Sequence, residues 1–179
     1  MPHSDLNLPA TNGRDRLVVM GVSGCGKSTL AHAIAECLDW RMIEGDTYHT
    51  PDSQAKMAHG IALTDDDRAQ WLHTLASMIG QADAPLVMAC SALKADYRDQ
   101  LRRAAPGRVG FVFMNLTQEE SFRRVALRKG HPFPASLVAS QFAALESPRG
   151  EPDVLTVDAT ATTQQQLAQV QAWLSGPQA

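Results

Sequence analysis

Five short apolar runs divide the chain: Leu17–Met20, Trp40–Ile43, Leu86–Cys90, Val109–Met114 and Val154–Val157. Each is too short for a core helix and too continuous for a strand with one wet face, so each reads as a strand buried on both sides. Between them the apolar residues recur at helical spacing. Leu30, Ala33, Ile34, Cys37 and Leu38 form one stripe, Leu72, Leu75 and Ile79 another, and Leu167, Val170 and Leu174 the last. A helical run over Ser91–Arg103 carries Leu93, Tyr97 and Leu101 on one face, and Leu137, Val138, Phe142 and Leu145 make a shorter helix.

Local signals sharpen some of these boundaries. Thr64 ahead of Asp65-Asp66-Asp67 predicts an N-cap with carboxylates on the positive end of the helix dipole, and Gly80 can stop that helix. Thr117 and Glu120 have capping-box spacing and open a helix that carries Arg123, Arg124, Arg128 and Lys129 and is predicted to end at Gly130. His131-Pro132-Phe133-Pro134 cannot continue it. Residues 47–63 hold few periodic apolar positions and read as short helices and loops able to hold a small molecule.

Strands alternating with helices predict an α/β fold: a doubly wound, five-stranded parallel sheet with helices on both faces and right-handed crossovers. Residues 1–15 read as a mobile tail, and residues 16–179 as a single domain. In such a sheet the segments after the strands, residues 21–28, 44–50 and 90–98, gather at one edge, where these folds bind ligands.

Composition narrows the picture. At 44% hydrophobic content the 179 residues can bury one sizeable core. A net charge of −3 and a pI near 6.0 supply no basic field for a nucleic-acid partner. No stretch approaches the roughly 20 apolar residues of a membrane span, and the polar start has no apolar centre like that of a secretion signal. The cytoplasm is therefore the expected compartment. Three cysteines, Cys25, Cys37 and Cys90, lack metal-ligand spacing and are expected as reduced thiols.

The chemistry begins where the first strand breaks into Gly21-Val22-Ser23-Gly24-Cys25-Gly26-Lys27-Ser28 and then opens a helix. This is G-x-x-x-x-G-K-[ST] in its required strand–turn–helix setting, a phosphate-binding loop. Its glycines let backbone N–H groups turn inward around a polyphosphate, the helix adds its positive end, Lys27 supplies charge for the outer phosphates, and Ser28 is the loop's hydroxyl ligand for magnesium. The nucleotide-binding set expected here is Gly21, Ser23, Gly24, Cys25, Gly26, Lys27, Ser28 and Thr29. Cys25, near a helix N-terminus and Lys27, sits where a thiol's pKa falls. Alkylation there is expected to block ATP unless the side chain simply points outward.

A phosphate loop alone leaves switches, motors and kinases open. The short chain has no room for a motor or effector domain, and a cationic helix followed by a Pro-rich hairpin, over about residues 123–146, resembles a closing lid. One basic stripe, Lys94, Arg98 and Arg102, repeats at i+4. Either an anion relieves its self-repulsion, or Asp96 and Asp99 neutralise a solvated face.

Several segments taken together resemble the gluconokinase family, a branch of the P-loop small-molecule kinases related to shikimate kinase and adenylate kinase. They are the phosphate loop, Gly45-Asp46 with His49, Lys56-Met57 with Gly60, Leu63-Thr64-Asp65-Asp66-Asp67-Arg68 with Trp71, and Cys90-Ser91-Ala92-Leu93-Lys94 with Tyr97-Arg98. Arg128-Lys129-Gly130-His131 and Gln141-Phe142 with Leu145-Glu146 complete the set. The resemblance implies a three-layer P-loop NTPase fold with a helical lid, and phosphorylation of D-gluconate by ATP and Mg2+ on its terminal hydroxyl. It makes Lys27, Asp46 and Arg128 the expected catalytic residues. Asp46 would receive the sugar hydroxyl, Asp46, His49 and His59 would bind hydroxyls, Arg68, Lys94 and Arg98 would meet the carboxylate, and Lys56 completes the expected substrate set. Arg102 is left on the solvated face. Arg124 would lie against adenine and Arg128 reach the phosphates.

Many P-loop proteins end a strand with a magnesium-holding aspartate, whereas here that strand ends in Cys90-Ser91, as in the family. Magnesium then falls to Ser28, with Glu44 or Asp46 at one remove. The resemblance also implies a homodimer. The competing readings are a kinase for another hydroxy acid such as shikimate, and a nucleotide-binding regulator without catalysis.

Overall fold

In the computed structural model, residues 11–128 and 134–176 are described. In chain order the elements are β1 (Arg16–Met20), α1 (Lys27–Leu38), β2 (Arg41–Glu44), a 3-10 turn (Gly45–Tyr48), α2 (Pro51–Ala58), α3 (Asp65–Gly80), β3 (Leu86–Ala89) and α4 (Ala95–Ala104). There follow β4 (Val109–Asn115), α5 (Gln118–Leu127), a second 3-10 turn (Ala135–Leu137), α6 (Val138–Ala144), β5 (Val154–Asp158) and α7 (Thr163–Ser175).

The strands lie in the order β2-β3-β1-β4-β5, and all four pairings are parallel. The pleat sends successive side chains to opposite faces. Leu17, Val19, Val87, Ala89, Val112 and Met114 pack against Leu30 and Ile34 of α1 and Val170 and Leu174 of α7. Val18, Met20, Leu86, Met88, Phe111 and Phe113 pack against Leu72, Leu75 and Ile79 of α3 and Leu101 of α4. Two cores share one sheet, which is why the strands look uniformly apolar in the sequence.

Side-chain caps set the helix starts. Thr64 and Asp67 close a full capping box on α3, and Thr162 and Gln165 close another on α7. The predicted box on α5 is only half formed. Thr117 accepts the Glu120 N–H, but the Glu120 carboxylate turns to Arg123 and Arg124, whose two charges offer more than one backbone donor. Arg16 is 1% exposed and donates to the carbonyls of Ile79 and Ala82 at 3.1 and 2.6 Å, placing a cation at the negative end of α3.

Three boundaries differ from the sequence expectation. The helix predicted from Ser91 starts at Ala95, because Ala92 has φ 44 and Lys94 is extended, leaving Ser91–Lys94 as a loop beyond β3. The helix predicted to run to Gly130, α5, stops at Leu127, and Arg128 has left helical angles. Lys129, Gly130 and His131-Pro132-Phe133 lie outside the described residues, as do residues 1–10 of the expected tail. Thr11–Asp15, counted with that tail, belong to the body. Arg14 lies 4.7 Å over the Trp173 ring, and Asp15 pairs with Arg108.

Candidate active site

Strand order reverses direction between β1 and β3: α1 leaves β1 toward one face and α4 leaves β3 toward the other. The crevice this opens at the strand ends receives the phosphate loop, the Gly45–Tyr48 turn and the Ser91–Lys94 loop. The Gly21 N–H donates to the Ser91 carbonyl, tying two of these segments together.

Glycines permit the close approaches. A Cβ on Gly21, at φ 145, would stand 2.9 Å from Cys25 Sγ and 3.0 Å from the Met114 carbonyl. One on Gly45 would meet the Ala89 carbonyl at 2.5 Å, so only glycine lets the turn lie on the end of β3. Gly26, at φ 93, caps α1 and passes the chain into Lys27 and Ser28.

Beside the loop lies a cavity of about 280 Å³ whose walls include Ser23, Lys27, Asp46, His49, Arg68, Ser91 and Gln141. Lys27 Nζ donates to the Val22 carbonyl at 3.0 Å, and Ser28 Oγ donates to Glu44 Oε2 at 2.5 Å. The Asp46 carboxylate is largely exposed on its turn, 4.0 Å from His49 Nε2. His49 is stacked on Trp71 with ring centroids 4.2 Å apart, and Trp71 Nε1 donates to the Gly45 carbonyl at 2.8 Å. The indole thus fixes both the turn and the imidazole. His49 Nδ1 is buried and makes no hydrogen bond among the described residues, a vacancy that suits a ligand hydroxyl.

Burial lowers the His49 pKa from its ordinary 6.5; the Asp46 charge opposes the shift and Arg68 adds to it. The ring is therefore neutral at pH 7 and can accept a hydroxyl proton in a hydrogen bond. The folded state then resists a proton that the unfolded chain takes up. This stability is present above pH 6.5 and is lost as pH falls through the lowered value. Thermal unfolding of the protein is expected to show a melting temperature that falls between pH 7.5 and 5.5, with a shallower fall in His49→Gln. Equal slopes would take His49 out of the account.

The other expected residues divide. Arg68 lines the cavity with Nη1 on the Leu63 carbonyl at 2.6 Å, and an adjoining hollow holds Lys94, which grips both oxygens of Asp65 at 2.8 and 2.9 Å. Lys56 and His59 do not reach this cavity. They line an outer groove between α2 and α3, Lys56 paired with Asp67 at 2.6 Å and His59 Nδ1 2.7 Å from the Ala55 carbonyl. Arg124 braces the phosphate loop, with Nη1 3.2 Å from the carbonyls of Gly24 and Ala159. Arg128 is exposed, one residue past α5. Cys25 points into the core at 1% exposure, neither outward nor open to reagents.

Arg98 departs most from expectation. It is fully buried and donates to the carbonyls of Ala92, Leu93 and Glu146 and to Glu151 at 2.7 Å. All of its donors are committed to protein, and it pins the strained Ala92 loop in place of meeting substrate. Arg102 is no solvated cation either, pairing with Asp99, Glu151 and Asp153. Burial alone would raise the Glu151 pKa, but hydrogen bonds from Arg98 and Arg102 outweigh it and leave it low. Arg98→Met strands these acceptors and is expected to cost about 3 kcal/mol in urea unfolding. Unchanged stability with a weakened acceptor KM would return Arg98 to the substrate.

Two polar contacts had no local signal in the sequence. Ser121, fully buried on α5, donates to the Ser23 carbonyl at 2.7 Å, and Gln141 of α6 accepts the Ser23 N–H at 2.7 Å. Both link residues about a hundred positions apart, which no local pattern encodes.

A phosphate loop at the switch point of a parallel sheet, beside a cavity lined by Lys27, Asp46, His49 and Arg68, is the arrangement of a P-loop kinase. A family model described as an AAA domain matches residues 17–152. The gluconokinase of Gluconobacter oxydans is 44% identical over 144 residues, covering 79% of this chain and 80% of that one. The thermosensitive gluconokinase of Escherichia coli is 36% identical over 149 residues, covering 80% and 79%. The crystal structure of a gluconokinase from Sinorhizobium meliloti superposes with a TM-score of 0.83 at 42% identity, covering 92% of this chain and 93% of that one. The chain belongs to the gluconokinase family.

Proposed function

We propose that this protein transfers the terminal phosphoryl group of ATP to the terminal hydroxyl of D-gluconate, giving 6-phospho-D-gluconate and ADP. The observation that carries the proposal is one cavity lined both by the phosphate loop's Ser23 and Lys27 and by Asp46, His49 and Arg68. Donor and acceptor can meet there in line. The hydroxyl oxygen bonds to the γ-phosphorus as the bond to the ADP oxygen breaks, and the hydroxyl proton leaves late. Asp46 orients that hydroxyl, since a carboxylate is a weak base toward an alcohol. Neutral His49 accepts a further hydroxyl, and Arg68, with Lys94 behind it, faces the carboxylate. Lys27 offsets charge spreading over the transferring group.

Ser28 Oγ is a hard oxygen donor that fits magnesium and would hold it against the outer phosphates, with Glu44, hydrogen-bonded to Ser28, at one remove. We also propose a homodimer, on the family resemblance, and the cytoplasm as its compartment; no described helix is long and apolar enough to cross a membrane.

The test is ADP release from Mg-ATP with single sugar acids and polyols. Strong dependence on gluconate is expected. Release favouring shikimate or another acid would redirect the substrate, and slow release indifferent to any acceptor would indicate a regulator.

A further inference from the structure

Gln141 sits on α6, one helical element beyond the undescribed residues 129–133, yet its side chain reaches the phosphate loop. Its partner there is a donor. The Ser23 N–H can be accepted only by the carboxamide oxygen, so the contact fixes which way round the amide lies. The Nε2 group, on the other branch of the same planar amide, therefore faces away from Ser23. It makes no hydrogen bond to any described residue.

What it faces is acceptor territory. Gln141 lines both the main cavity, with Lys27, Asp46 and His49, and the adjoining hollow, with Lys94 and Thr64. Arg68 is shared by the same two spaces. The amide thus bridges the nucleotide loop and the space for the acceptor.

The main chain at Ser23 is itself held on both flanks, its carbonyl accepting the Ser121 hydroxyl and its N–H donating to Gln141. An anchor on a fixed peptide costs Gln141 little further ordering entropy when substrate arrives.

We propose that Gln141 is a specificity-determining residue: its anchored carboxamide presents two N–H donors to an oxygen of the polyhydroxy acid, setting the acceptor's register against the phosphate loop. This rests on the kinase function proposed above. It assigns gluconate, or whichever acid the enzyme accepts, a contact from the lid side that an acid lacking an oxygen at that position could not make.

Two variants separate this from a purely structural latch. Gln141→Leu removes both the anchor and the donors. Gln141→Glu keeps an acceptor for the Ser23 N–H but has no donor, and it places a negative charge toward a carboxylate-bearing substrate. Steady-state kinetics on the acceptor that drives ADP release by the unaltered enzyme should show KM raised about tenfold in Gln141→Leu and further in Gln141→Glu. The affinity of Gln141→Leu for ATP, by calorimetry, should change by less than about threefold.

A wild-type KM in Gln141→Glu would make the residue a latch and overturn the proposal. So would an acceptor KM within about twofold in both variants, or a loss of ATP affinity equal to the rise in KM. No acceptor-driven release by the unaltered enzyme would instead overturn the kinase reading on which this one stands.

Discussion

Lys27→Met is expected to lower kcat about a thousandfold, near 4 kcal/mol of transition-state stabilisation. Among the described residues Nζ donates to the Val22 carbonyl at 3.0 Å and to Cys25 Sγ at 3.9 Å. The contact is local to the loop. Its loss leaves the two cores untouched, so the melting temperature should barely move while turnover collapses. The charge is wanted most when the γ-phosphoryl group is loosely held between two oxygens, which makes the effect fall on kcat more than on ATP binding. A kcat within about tenfold of the unaltered enzyme would show that other donors carry that charge.

Asp46→Asn is expected to lower kcat at least about a hundredfold, with ATP affinity nearly unchanged. The side chain stands on a turn pinned by Trp71 through the Gly45 carbonyl, and its carboxylate is mostly in solvent, so the amide should fit without disturbing the fold. What is lost is the acceptor that aims the sugar hydroxyl. Orientation explains the size of the effect better than basicity, because a carboxylate is a weak base toward an alcohol. Single-turnover and calorimetric measurements separate the two quantities. Unchanged turnover would remove Asp46 from the mechanism.

The two substituted residues line one cavity, and both stand out in the sequence because their signals are local. The loop is a contiguous motif between a strand and a helix, and Gly45-Asp46 directly follows a strand. The same holds for the five strands and for Thr64, whose capping partner is three residues away. Arg98 was misplaced for the opposite reason. Lys94, Arg98 and Arg102 share one spacing and one charge, yet they end on Asp65, on buried carbonyls with Glu151, and in a carboxylate cluster. Their partners come from α3, the loop after β3, α4 itself and the segment between α6 and β5, and burial of Arg98 depends on that last segment, about fifty residues downstream.

The amino-acid order by itself determined the alternation of strands and helices, the phosphate loop and the edge of the sheet where ligands gather, because periodicity, glycine conformation and capping act over a few residues. Only the tertiary structure decided which cations face the cavity, that Cys25 turns into the core, and that Gln141 reaches Ser23. Those outcomes follow from competition among distant donors, acceptors and apolar surfaces for the same enclosed space, and that competition exists only once the chain has closed on itself.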